Sequence, residues 1–201
     1  MRKLLATVAC LFTLHAGAQT APAAAPPIRL RATIASVDAA SMVVKERSGE
    51  IITLALAHNL LVNEMLSIEL SALQPGAFIG TSAMPQPDGT LRVLGVTVFP
   101  ESARGGGEGH RPYDLQPGST MTNATVADLA GGAQGRRLTL KYKDGEKTVV
   151  VPDDVQIVTF RQADRSLLVV GARVVVTAEM RDGLPTAVRV TAGRNGFVPS
   201  L

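Results

Sequence analysis

The sequence predicts an all-β fold: two small five-stranded antiparallel barrels in tandem, related by an internal duplication. Three observations carry that reading. Apolar and polar residues alternate with a period of two, as in Leu138, Leu140 and Tyr142 against Thr139, Lys141 and Lys143, the period of a strand with one buried face. Turn signals recur between such runs, at Ser48-Gly49, Asp88-Gly89, Asp144-Gly145 and Asp182-Gly183, where glycine accepts a positive φ at little cost. The segments also repeat in order. Ala32-Thr33-Ile34-Ala35 matches Ala124-Thr125-Val126-Ala127, Gly49-Glu50 matches Gly145-Glu146, and Pro75-Gly76-Ala77 corresponds to Val170-Gly171-Ala172. Asp88-Gly89 then matches Asp182-Gly183, and Val96-Thr97-Val98 matches Val188-Arg189-Val190. The offsets are 92, 96, 95, 94 and 92 residues, which places the copies at 28–100 and 119–193.

From the N-terminus, residues 1–18 read as a secretory signal peptide. Arg2 and Lys3 form a positive start, Leu4 to Leu14 an apolar centre, and Ala16-Gly17-Ala18 a small-residue cleavage site. Cys10 leaves lipid attachment as an alternative, against which Thr7 stands where an aliphatic residue is wanted. Cleavage would leave 183 residues without a cysteine, ruling out a disulfide framework and thiolate chemistry. No later stretch offers the roughly 20 apolar residues of a membrane-spanning helix. The expected location is the periplasm. Residues 19–27, QTAPAAAPP, read as a disordered Ala/Pro spacer.

Within each copy the pattern is three strands, a variable connector and two strands. Met42–Arg47 and Glu50–Leu56 flank the first turn, and Lys147 to Val151 returns after Asp144-Gly145. Val and Thr enrichment agrees. The connector from Ala57 to Gln74 contains LSIELSAL, long enough for one or two helical turns, and its counterpart contains FRQADRSLL. A short helix between the third and fourth strands plugs the barrel in OB-type folds, so the units read as OB-like. One continuous sandwich of about ten strands is the alternative. The run from Gly135 to Pro152, G-x-x-L-T-L-K-Y-K-D-G-E-K-T-V-V-V-P, resembles the core hairpin of an uncharacterised family of exported bacterial OB-like domains of unknown function, often in tandem. The whole layout is similar to exported proteobacterial proteins carrying labels borrowed from metal transport systems. The resemblance implies an exported origin and leaves activity open.

Residues 101–118, ESARGGGEGHRPYDLQPG, join the copies, and residues 194–201 form a C-terminal tail. The glycines loosen the first half of the connector, whereas Pro112 and Pro117 stiffen the second. Tyr113 and Leu115 give it apolar anchors for docking on a barrel, most simply the copy that follows. His110, Arg111, Tyr113, Asp114 and Met121 are the candidate binding residues, on the wall of a composite groove between the units. His110, Asp114 and Met121, with His58 and Met65, could also be read as metal ligands, but no H-x-H, H-x-x-x-H or Met-rich run is present, and no metal ligands or cofactor are assigned.

Other chemistries find little support. The net charge of +3 falls to +1 without Arg2 and Lys3, its charges are interspersed, and aromatics are only 3% of residues. Nucleic-acid binding needs a basic track or stacking platforms, so it is not expected. Neither a G-x-S-x-G elbow nor a phosphate-cradling loop occurs. Asp153-Asp154 reads as a solvated turn, since neighbouring strand residues face opposite ways. The expectation is a non-enzymatic periplasmic binding or accessory protein with a protein or peptide partner. The alternative is a copper- or zinc-handling accessory protein beside a transporter.

Overall fold

The structure is a computed structural model that describes residues 26–132 and 135–198. The expected signal peptide lies outside the described residues, as do positions 19–25 of the spacer and 199–201 of the tail. The chain is all-β: the described residues contain no α-helix, and only single 3-10 turns at Leu70–Ala72, Glu101–Ala103 and Arg165–Leu167 interrupt the strands. The strands are β1 (Ile28–Val37), β2 (Ser41–Glu46), β3 (Ile51–Ser67), β4 (Phe78–Pro85), β5 (Leu91–Val98) and β6 (Gly109–Pro112). They continue as β7 (Thr120–Gly132), β8 (Gly135–Tyr142), β9 (Gly145–Val151), β10 (Ile157–Ala163), β11 (Arg173–Arg181) and β12 (Leu184–Gly193).

Five strands close a barrel in the order β12-β11-β1-β2-β3, sealed by parallel pairing of β3 with β12. A second ring runs β5-β4-β7-β8-β9, and β5 returns to β9 through the two pairs Leu91–Val149 and Arg92–Val150. Strand β10 lies between the rings, antiparallel to β3 and parallel to β5. Strand β6 pairs with the start of β7.

The segments expected to be copies, 28–100 and 119–193, therefore do not each close on themselves. The first three strands of each segment close with the last two of the other. The cause is β3. The chain was expected to leave its strand at Leu56, but stays extended for 17 residues to Ser67, about 55 Å at the usual rise per residue. It thereby carries the following β4 and β5 across to the second ring. Residues 145–163 repeat the manoeuvre, broken only by the turn at Pro152–Asp154 that separates β9 from β10. The expected helical turns in LSIELSAL reduce to the single 3-10 turn at Leu70–Ala72.

Strand registers in the two rings correspond closely. Thr33 pairs with Arg173 as Thr125 pairs with Phe78, and Ile34 with Val44 as Val126 with Leu140. The register shifts between Ile34 and Ser36, and again between Val126 and Asp128. A second shift recurs at Ser82/Ala83 and Thr177/Ala178. Val96 occupies the place of Val190 opposite Thr81 and Val176, so the last strands correspond at 94 residues rather than the 92 that the sequence match suggested. β3 and β10 pair with each other, Val62 opposite Ala163 and Ser67 opposite Val158, about a local two-fold centre.

Each ring encloses its own core, and each core draws on both halves of the chain. Ile34, Met42, Val44 and Leu54 pack with Val174, Val176 and Val190 in the first. Ile79, Val93 and Val96 pack with Val126, Leu138, Leu140 and Val149 in the second. Apart from Val93 and Val96, which the register shift in β5 sets three apart, these residues keep to alternate positions along their strands, which is why the period of two was readable beforehand.

Candidate functional site

Alternation that sends valines into each core sends their neighbours outward, toward the space between the rings. On the first ring, Arg29 on β1, Thr177 on β11, Arg189 on β12 and Leu61 on β3 stand opposite one another across four adjacent strands. The next outward row runs Arg31, Val175, Thr191 and Asn63. Gly193, Met65 and Phe160 form a third across β12, β3 and β10. On the second ring, Gly80 stands opposite Thr97 on one side and Asn123 on the other. Together these surfaces enclose a cleft of about 550 Å³, roofed by connector residues Ala103, Gly106 and Gly107 and flanked by Arg111 and Tyr113.

The aromatic end of the cleft is built on close approach. Phe99 lies edge-on to Phe160, with ring centroids 5.7 Å apart, and 5.3 Å from Phe78. Gly80 makes room for it: a Cβ there would meet Asn123 Oδ1 and Phe99 Cε2 at 2.9 Å. Asn123, almost fully buried, donates its Nδ2 to the Gly106 carbonyl at 3.0 Å and so ties the roof to β7. The Thr97 hydroxyl, shielded from solvent, has no hydrogen-bond partner.

The connector is docked, but not simply on the copy that follows. Strand β6 adds to β7, while Tyr113 and Asp114 reach back to β1. The Arg29 guanidinium donates to the Tyr113 hydroxyl at 2.7 Å, and both Arg29 and Arg31 lie 5.4 Å from the centre of the Tyr113 ring. Arg31 grips Asp114 through two bonds of 2.9 and 3.0 Å. Burial pulls the Arg31 guanidinium downward, but Asp114 and Tyr113 outweigh it and hold it above its ordinary pKa. The same bond to Arg31 draws the Asp114 carboxyl below its ordinary value. Ser119 pins the bend: its hydroxyl takes the Gln116 N–H at 3.2 Å and lies 3.0 Å from the Tyr113 carbonyl.

Of the five predicted binding residues, Arg111, Tyr113 and Met121 line the cleft. Asp114 sits beside it in its ion pair. His110 belongs elsewhere, in a shallow surface depression with Glu108, Tyr142, Asp144 and Lys147. Its Nδ1 lies 2.8 Å from the Thr122 hydroxyl. Burial, then the charges of Lys147 and Arg111, lower its pKa. The residues considered as metal ligands are not assembled: Asp114 is held by Arg31, Met65 is buried and lines the cleft, His58 is exposed, and no group of three His, Cys, Asp or Glu suited to a metal occurs among the described residues.

Sequence reasoning missed Arg29, Arg189, Asn63, Thr191, Phe99 and Phe160. Their outward placement follows from alternation, but alternation says nothing about which outward face meets another. Only the exchange of strands brings these residues together.

The chain matches no family model, and no curated protein or solved structure is significantly similar to it. No helix among the described residues is long and apolar enough to cross a membrane. Function therefore has to be argued from the cleft. It offers three guanidinium groups, a set of neutral polar groups and an aromatic end, and its lining contains no carboxylate.

Proposed function

We propose that the protein is a non-enzymatic binding or accessory module of the periplasm, and that it receives its ligand in the cleft between the rings. The single observation carrying this reading is the cleft itself. Its volume of about 550 Å³ falls in the range of small-molecule sites, and its wall mixes aromatic with well-spaced polar side chains. Export is inferred from residues 1–18. We further propose that the two rings are OB-like barrels descended from one duplicated unit; the matched registers and twin bulges support this.

The test is native mass spectrometry of protein purified from the envelope fraction of an exporting host. Wild type is expected to carry an adduct, and Thr191→Trp, which fills the middle of the cleft, to lack it while keeping its circular dichroism spectrum. An adduct equally present in both proteins, or none under several gentle extraction conditions, overturns the reading. The metal-handling alternative predicts that copper or zinc raises the melting temperature; on the present reading neither does.

A further inference from the structure

We infer that the cleft takes an amphiphilic oxyanion: a carboxylate or phosphate head held by Arg189 and Arg29, on an apolar chain or ring lying against Met65, Phe160 and Phe99. This rests on the reading of the cleft as a ligand site and adds the chemistry of what enters it.

Charge is the first argument. The lining contains Arg29, Arg111 and Arg189 and no acidic residue. Arg111 donates to a backbone carbonyl, that of Gly107. Arg29 donates to a neutral phenol, and the nearby Asp114 is already engaged by Arg31. Arg189 makes no ion pair or side-chain hydrogen bond among the described residues. A guanidinium presents a planar fork of donors that matches the two oxygens of a carboxylate or phosphate. Inside a cleft with partly apolar walls, such a charge is worth more than on an open surface.

Polarity is also graded along the cleft. Arg29, Thr177 and Arg189 share one row, which ends at Leu61. Val175, Thr191 and Asn63 lie one row further along, and Met65 and Phe160 beyond them, so the charged groups that the first ring gives the cleft stand at one end and its largest apolar side chains at the other. From Arg189 to Gly193 is about 13 Å of strand. A ligand with its charge at one end and its apolar body at the other fits that gradient; a small inorganic anion leaves the aromatic end unused, and a neutral hydrocarbon leaves the arginines unanswered. The local two-fold sharpens the point. Arg189 corresponds to Gly95 on the second ring and Arg29 to Met121, so these two cations lie on the first ring alone, while Arg111 stands opposite Met121 on the second and is held by the Gly107 carbonyl.

The experiment is isothermal titration of the full exported chain, after ligand stripping, with four probes: dodecanoate and dodecyl phosphate below their micellar concentrations, dodecanol, and acetate. One or both amphiphilic anions should bind at least tenfold more tightly than dodecanol or acetate, and the stronger names the head. Arg189→Gln, an exposed change that leaves the cores untouched, should weaken that binding at least tenfold without lowering the melting temperature. Equal binding of dodecanol and the anions, or no effect of Arg189→Gln, overturns the inference. If no probe binds but wild type still carries an adduct that Thr191→Trp loses, the anion assignment fails and the cleft remains a ligand site. If that adduct contrast also fails, both readings fail.

Discussion

Glu64 is the most deeply buried carboxylate in the described chain, on the strand that leaves the first ring. Arg161 on β10 bonds one of its oxygens at 2.9 and 3.1 Å, and Arg194 beyond β12 takes the other at 2.8 Å. These bonds hold its pKa below the ordinary carboxylate value, Arg161 contributing most. A depressed acid stabilises the fold above its unfolded pKa, near 4.3, and loses that contribution as pH falls through its folded value. Glu64→Gln should therefore lower the melting temperature at neutral pH, and the gap to wild type should shrink across the acid window below the unfolded value of about 4.3. A constant gap across that window would sink the assignment. Thr97 gives the opposite expectation. Its hydroxyl is buried without a partner, so Thr97→Val should stabilise the protein, by up to roughly 1 kcal/mol, in a denaturant titration. Neither residue was legible in the sequence, because a lone Glu or Thr on a strand carries no mark of what its neighbour will be.

At the level of elements, the hairpins were legible and the bridge was not. Asp182 and Gly183 both adopt positive φ, 50° and 78°, the two-residue turn whose twist suits flanking strands. Gly183→Ala forces a side chain into that region and should cost about 1 kcal/mol by chemical denaturation. Core positions were equally readable: Leu140, fully buried by alternation in β8, should lose about 3 kcal/mol on truncation to alanine. The second half of β3 and the whole of β10 escaped detection for a physical reason. A strand leaving one ring to bridge to another changes which side it buries, and around Ala57-His58-Asn59-Leu60 the period of two is lost. A broken period reads as a connector. The four residues of β6 were hidden likewise, by the glycines and proline that flank and end them.

For the molecule as a whole, the exchange of strands makes each ring depend on both halves of the chain. Residues 26–104 alone hold three strands of one ring and two of the other, and neither set closes. That fragment should stay unfolded or self-associate, as should residues 105–198, whereas mixing the two should restore the β-sheet circular dichroism signal. A monomeric, cooperatively folded 26–104 would contradict the observed pairing. The sequence did disclose the all-β class and most of the alternating core positions, since these are local or periodic; it gave five strands to 119–193, where the structure has six, β7 to β12. Which copy's strands seal which ring depends on the long extended path of β3, and no short-range pattern records that.

The late arrival of β11 and β12 has a consequence for biogenesis. The first barrel begins at Ile28 and cannot be sealed before Gly193 emerges, so all of residues 28–193 must be synthesised while the earliest valine-rich ribbons wait with unmet backbone partners. Closing such distant contacts is slow, and waiting edges are sticky. A chain of this design should rely on a holdase until β12 appears, and then mature in one concerted step rather than lobe by lobe.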